Sequence, residues 1–261
     1  MTNARIFFLG GWFSYRALFN WANPYIYVPL LVITPIFQVL FFAFLGRAAG
    51  LEDDRFFVIG NALQLAALPA LFAMAATIDG ERRAQTISSV LASPANRGAL
   101  FLGRSLPVIA NAIVVSLIAF VASAVILKVH LDAATYPSLL FLILVTSVSC
   151  TGFGLLNAAV GLRIRSGIVL TNMLDAVLLI WCGVNIPLAN LPGWMAWTAQ
   201  GLPLTHSLAA ARKVADGAPL SSVWSLVAAE LLIGFVYAAI GFVGLRYFEL
   251  QSRRHATLGL A

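Results

Sequence analysis

Six apolar runs, at 28–45, 56–78, 105–127, 138–162, 168–186 and 223–245, constrain this chain more than any other feature. Each has the roughly 18 to 25 residues that a helix needs to cross a bilayer. In hydrocarbon every backbone N–H and C=O must find its partner within the protein, so runs of this length are read as helices. The composition agrees: 61% of the 261 residues are hydrophobic and only 10% are charged, against about 25% charged in a soluble domain. The expectation is an all-α integral membrane protein with six transmembrane helices, forming a single transmembrane domain over 1–261.

The polar segments between the runs set the orientation. With the N-terminus inside, Arg5, Arg16, Arg82, Arg83, Arg97, Arg104, Arg163, Arg165, Arg246, Arg253 and Arg254 fall in the cytosol, and Arg47, Arg55, Lys128, Arg212 and Lys213 fall outside. The excess of inner arginines fits the positive-inside rule and places both termini in the cytosol. The net charge of +6 is spread between the spans rather than gathered in one patch, which argues against nucleic acid.

Ahead of the first span, residues 1–27 carry Phe7, Phe8, Trp12, Phe13, Tyr15, Phe19, Trp21 and Tyr25 around Arg16. Arg16 and Asn20 interrupt the apolar core that a cleavable signal needs. Aromatic side chains favour the headgroup level, so an interfacial helix is expected here. Pro29, Pro35 and Pro69 are expected to kink the first two spans. The fourth span, with Ser147, Ser149, Thr151, Gly152, Gly154 and Asn157, has the small polar residues that let membrane helices approach closely.

Segment 79–104, DGERRAQTISSVLASPANRGALFLGR, is the longest polar interruption. Ile87, Val90 and Leu91 share one helical face, and Pro94 biases Ser93 out of the helical region and so ends the turn. A short amphipathic helix between two spans gives a cytosolic partner a ridge to grip. Segment 187–222 differs in kind. It holds a short apolar stretch between Pro192-Gly193 and Gly201-Leu202-Pro203, with Trp194 and Trp197 inside it. That stretch is too short to span, so a helical hairpin dipping into the outer leaflet is expected, with a surface loop as the alternative.

Asp175 and Glu230 are the acidic residues within the apolar runs. A charge at the bilayer centre is costly and tends to face a cavity or a partner. Their depths differ by about 8 Å on the helical rise, which argues against a direct pair. Asn172 lies one turn before Asp175, and that face is a candidate lining for a path or for a contact with a second copy. Gln38, Asn61 and Gln64 are weaker candidates for the same cavity, since intramembrane amides often only hold helices together. Cys150 and Cys182 lie inside apolar runs as small hydrophobes, and His130, His206 and His255 are scattered, so no metal site is expected.

Two motifs together resemble the permease subunits of the type-2 ABC (ATP-binding cassette) export family. The first is Glu81 with Thr86-Ile87, then Leu91-Ala92-Ser93-Pro94, Arg97 and Leu102-Gly103-Arg104. The second is Leu191-Pro192-Gly193-Trp194, then Pro203-Leu204-Thr205-His206, then Arg212. Gln85 stands where the family usually has glycine. The resemblance implies a coupling helix at about Glu81 to Pro94 that docks on an ATPase subunit through Glu81, Arg82, Arg83, Ile87, Val90, Leu91, Ser93, Pro94 and Arg97. It also implies a re-entrant hairpin involving Pro192, Gly193, Trp194, Trp197, Pro203, Thr205 and His206, and a second permease, identical or related, facing this one. Daunorubicin-type drug exporters and lipid-linked glycan exporters are similar in architecture. A bacterial inner membrane is implied in the same way.

The chain itself argues that the motor is separate. A P-loop needs a glycine-rich turn ending in Gly-Lys-Ser/Thr, and Lys128 and Lys213 are each followed by valine. ATP and magnesium are therefore expected on a separate subunit, with no cofactor in this chain, and the resemblance implies that this subunit is an ATPase in two copies. The rival reading is a proton-coupled secondary transporter using Asp175 or Glu230. It would favour an inverted repeat with paired broken helices, which the two halves do not display. An intramembrane enzyme would need a nucleophile with its base, or clustered metal ligands, at one depth, and no such set is present.

Overall fold

In a computed structural model, residues 25, 29–50, 53–83, 97–133, 135–161 and 167–255 are described. The elements are helical: α1 (Thr34–Ala49), α2 (Asp54–Arg83), α3 (Arg97–Ile126), α4 (Thr135–Gly161), α5 (Gly167–Trp181), α6 (Gly193–Ala199), α7 (Thr205–Ala215) and α8 (Trp224–His255), with no strand among the described residues. Four of them, α2, α3, α4 and α8, contain stretches long and apolar enough to cross a membrane, while α1 and α5 are apolar but shorter.

Helices α2 and α4 form the centre. Against α2 pack α1, α3, α4 and α5, and against α4 pack α2, α3, α7 and α8. Residues 57–67 of α2 are buried without interruption, because α2 is surrounded rather than amphipathic. The serine and threonine hydroxyls of α4 turn back on their own helix: Thr146 donates to the Leu142 carbonyl, Ser147 to Ile143 and Thr151 to Ser147. Buried polar side chains are thereby satisfied without water. Gly234 of α8 sits against Ser149 of α4, where an added Cβ would meet the Ser149 Cα at 2.5 Å. Only glycine allows the two backbones to approach this closely, as the small residues of this span predict.

The outer surface is the reverse of a soluble protein's. Phe37, Phe41, Val125, Met173, Leu232, Phe235 and Val243 stand exposed, which suits hydrocarbon rather than water.

Several boundaries depart from the sequence reading. Residues 29–33 form a π-helical turn, and Pro35 lies at the first turn of α1, where its missing N–H costs nothing, so it does not interrupt the helix. The fifth apolar run ends as a helix at Trp181 rather than at 186. Gly183 there has φ +85°, a left-handed turn that glycine adopts readily. Pro69 lies inside α2, and Pro107 inside α3. Segment 79–104 is not one polar unit, since α2 continues to Arg83 and α3 opens at Arg97. The amphipathic turn expected at Thr86–Ala92 and nearly all of the interfacial segment 1–27 lie outside the described residues.

Candidate functional site: a polar seam beside an anchored helix pair

Four of the five residues proposed for a path meet in one hydrogen-bonded seam. Gln64 of α2 is the junction. Its amide donates to Asp175 Oδ1 of α5 at 2.8 Å, and its carbonyl accepts from Gln38 of α1 at 2.9 Å. One turn earlier on α2, Asn61 accepts a longer bond from Gln38 at 3.5 Å and donates to Asn185 Oδ1 at 2.7 Å and to the Phe57 carbonyl at 3.0 Å. Asn61 and Gln64 share a face because they are three residues apart on a helix. Both are buried, and Gln38, Asp175 and Asn185 are half-buried. The seam thus runs from the buried α2 toward α1 on one side and α5 on the other.

Asn172 does not join it. Its side chain turns outward and donates to the Ile168 carbonyl at 3.0 Å. Three helical residues turn about 300°, so Asn172 and Asp175 point some 60° apart, enough for one to face out and the other to face α2. Asn185 was missed by sequence reasoning because it sits at the end of an apolar run. Its position past the last turn of α5 and its bond to Asn61 give it a place in the seam.

The second acidic residue within the apolar runs has a different role. Glu230 of α8 is fully buried (0% exposed). Its carboxylate accepts from the backbone N–H of Leu204 at 2.6 Å and of Ser207 at 3.2 Å. These are among the first N–H groups of α7, which have no partner within the helix. A carboxylate at a helix N-terminus also meets the positive end of the helix dipole. Placing a charge deep in the membrane costs roughly 2.5–3.5 kcal/mol on insertion scales, and these two donors offset part of that cost. No hydrogen bond or ion pair joins Glu230 to Asp175 among the described residues.

The residues between α5 and α8 form a tied helix pair. Pro192 caps α6 in an extended conformation and Gly193 opens it. Trp197 is 78% exposed, and Trp194 packs edge-on against Trp181 at 5.4 Å. At the turn into α7, Thr205 donates to the Ala199 carbonyl at 2.7 Å, His206 Nε2 lies 3.1 Å from the Gln200 carbonyl, and the Pro203 carbonyl accepts from Cys182 Sγ at 3.5 Å. Tyr237 of α8 donates to the Gly201 carbonyl at 3.0 Å. From the far end of α7, Arg212 donates to the Gly183 and Val184 carbonyls at 2.7 and 3.1 Å and lies 3.6 Å over the Phe56 ring of α2. One nitrogen, Nη2, serves both carbonyls, while the planar guanidinium as a whole stacks on the ring.

The proposed coupling residues divide. Glu81, Arg82 and Arg83 end α2 and Arg97 begins α3, whereas Ile87, Val90, Leu91, Ser93 and Pro94 lie outside the described residues.

A bundle of apolar helices, four of them long enough to cross a membrane, is the architecture of an integral membrane protein. The model of the ABC-2 type transporter family matches residues 13–215, and the chain belongs to that family. It is accordingly the permease component of an ABC transporter and not the ATPase, and permeases of this family normally work with an ABC ATPase partner. No match was found among curated proteins.

Proposed function

We propose that this chain forms, over its whole length as one domain, the permease of an ATP-driven exporter. It works with a second permease, identical or related, and with two copies of a separate ATPase that carry ATP and magnesium. The observation that carries the reading is the seam Gln38–Gln64–Asp175 with Asn61 and Asn185, a polar line through an apolar bundle. Such a line inside a membrane protein marks a route for a polar group. The substrate is amphiphilic, because the surfaces beside the seam are apolar.

In this reading α1 and α5 complete a six-span topology, residues 1–27 lie along the interface, and both termini are cytoplasmic, in a bacterial inner membrane. The end of α2, segment 84–96 and the start of α3 form the cytosolic coupling unit. Glu81 is its main polar contact, since a carboxylate beside an apolar face can pair with a basic residue across an interface. The pair α6–α7 is the outer re-entrant hairpin, with Trp194 and Trp197 at the headgroup level.

For the proton-relay alternative, Glu230 is taken up in holding α7, so that reading would rest on Asp175. Purification from native membranes tests the proposal. A stoichiometric ATPase is expected with the wild type and is expected to be lost when Glu81–Pro94 is replaced by a glycine-serine linker. A lone chain that transports on a proton gradient would overturn it.

A further inference from the structure

The seam's hydrogen bonds leave two groups unused. Asp175 accepts through Oδ1, while Oδ2 has no hydrogen bond from any described residue and is not sealed inside the protein. The ion pairs among the described residues join Arg47 to Asp54 and Arg55 to Asp216, and Asp175 belongs to neither. One amide along, the Nδ2 of Asn185 is buried without a partner. A carboxylate in apolar surroundings with one oxygen left open is a contact waiting for a donor.

The surfaces next to these groups are apolar. On α5 the exposed Ile168 lies two turns before Asp175 on the same face, since seven residues return within about 20° of the same direction, and on α1 Phe37 and Phe41 flank Gln38. Gln64 is bonded at both ends of its amide, so the carboxylate is aimed before any ligand arrives, which lowers the ordering cost of binding.

We propose that the seam recognises the cationic head of an amphiphile, with the positive charge against Asp175 Oδ2 and the apolar body along the exposed faces of α5 and α1. The inference deepens the permease reading and rests on it. The sign of the charge decides the substrate class. At low dielectric a carboxylate attracts a cation and repels an anion steeply, so a phosphate- or pyrophosphate-linked carrier is disfavoured at this position. A neutral amphiphile gains hydrogen bonds alone.

The test uses the permease purified with its ATPase in liposomes, with tetraphenylphosphonium as the cationic probe and triphenylphosphine oxide as its neutral counterpart. The cation is expected to stimulate ATP hydrolysis at a half-saturating concentration about tenfold below that of the neutral probe. Asp175→Asn is expected to raise the cation's value about tenfold while moving that of the neutral probe by less than about twofold. Equal response of the wild type to both probes, response to neither, or an unchanged cation value in Asp175→Asn overturns the proposal. Direct binding of both probes to the detergent-solubilised permease, wild type and Asp175→Glu, covers a variant that fails to assemble. There Asp175→Glu is expected to keep a weakened cation preference, and loss of preference in the wild type is again fatal. Failure of the permease reading looks different, since no ATPase would then co-purify at all.

Discussion

At the scale of the residue, two carboxylates in similar apolar runs acquire opposite characters from their neighbours. Glu230 is closed in by the backbone of α7, whereas Asp175 keeps one oxygen open. Replacing Glu230 by alanine strips acceptors from two buried N–H groups, at about 1–3 kcal/mol for each one left unpaired. A fall in melting temperature of several degrees is expected in detergent, and an unchanged value would mean that α7 does not depend on this cap. Arg212→Lys removes the planar face that lies over Phe56 and leaves a point charge to hold the Gly183 and Val184 carbonyls that Nη2 serves now. A loss of about 1–2 kcal/mol is expected from the weakened carbonyl and ring contacts, read by the same melting measurement. The seam was partly legible beforehand because Gln38, Asn61, Gln64 and Asp175 are polar letters in apolar runs, each of which must find a partner in a membrane. Asn185 was not, since an amide at the edge of a run reads equally well as the start of a loop. The clamp made by Arg212 was invisible for another reason: its acceptors are backbone carbonyls, and every residue has one.

At the scale of the element, the seam between α4 and α8 depends on glycine. Gly234 faces Ser149, and an added Cβ at Gly152 would meet the Gly234 carbonyl. Gly234→Leu is expected to separate the two helices and abolish a monodisperse detergent-purified protein, while Phe235→Leu on the exposed side of the same helix leaves it intact. Size-exclusion profiles of the two variants check this, and equal profiles would contradict the close approach. The small residues of α4 announced this packing, but not which helix would answer it. Helix ends were less legible, because hydropathy continues past the point where hydrogen bonding stops. The run 168–186 stays apolar to its end, yet the left-handed turn at Gly183 and the carbonyls claimed by Arg212 leave α5 finished at Trp181.

At the scale of the whole molecule, the proposed topology makes a directional prediction. In a background with Cys150 and Cys182 replaced by alanine, Asp216→Cys should react in intact cells with a membrane-impermeant maleimide. Ala95→Cys should react only after the cells are opened. The reverse pattern would invert the orientation and remove the coupling unit from the ATPase side. The tied helix pair also bears on how such a protein can move. Glu230 and Tyr237 fasten the turn between α6 and α7 to α8, Cys182 fastens it to the end of α5, and Arg212 bolts α7 to the same end and to α2. A lid hung on free hinges would have no such fastenings. Any widening at that end of the bundle must therefore carry the pair along as cargo on α5 and α8, and a stroke begun at the opposite end reaches it through rigid rods rather than through a flap.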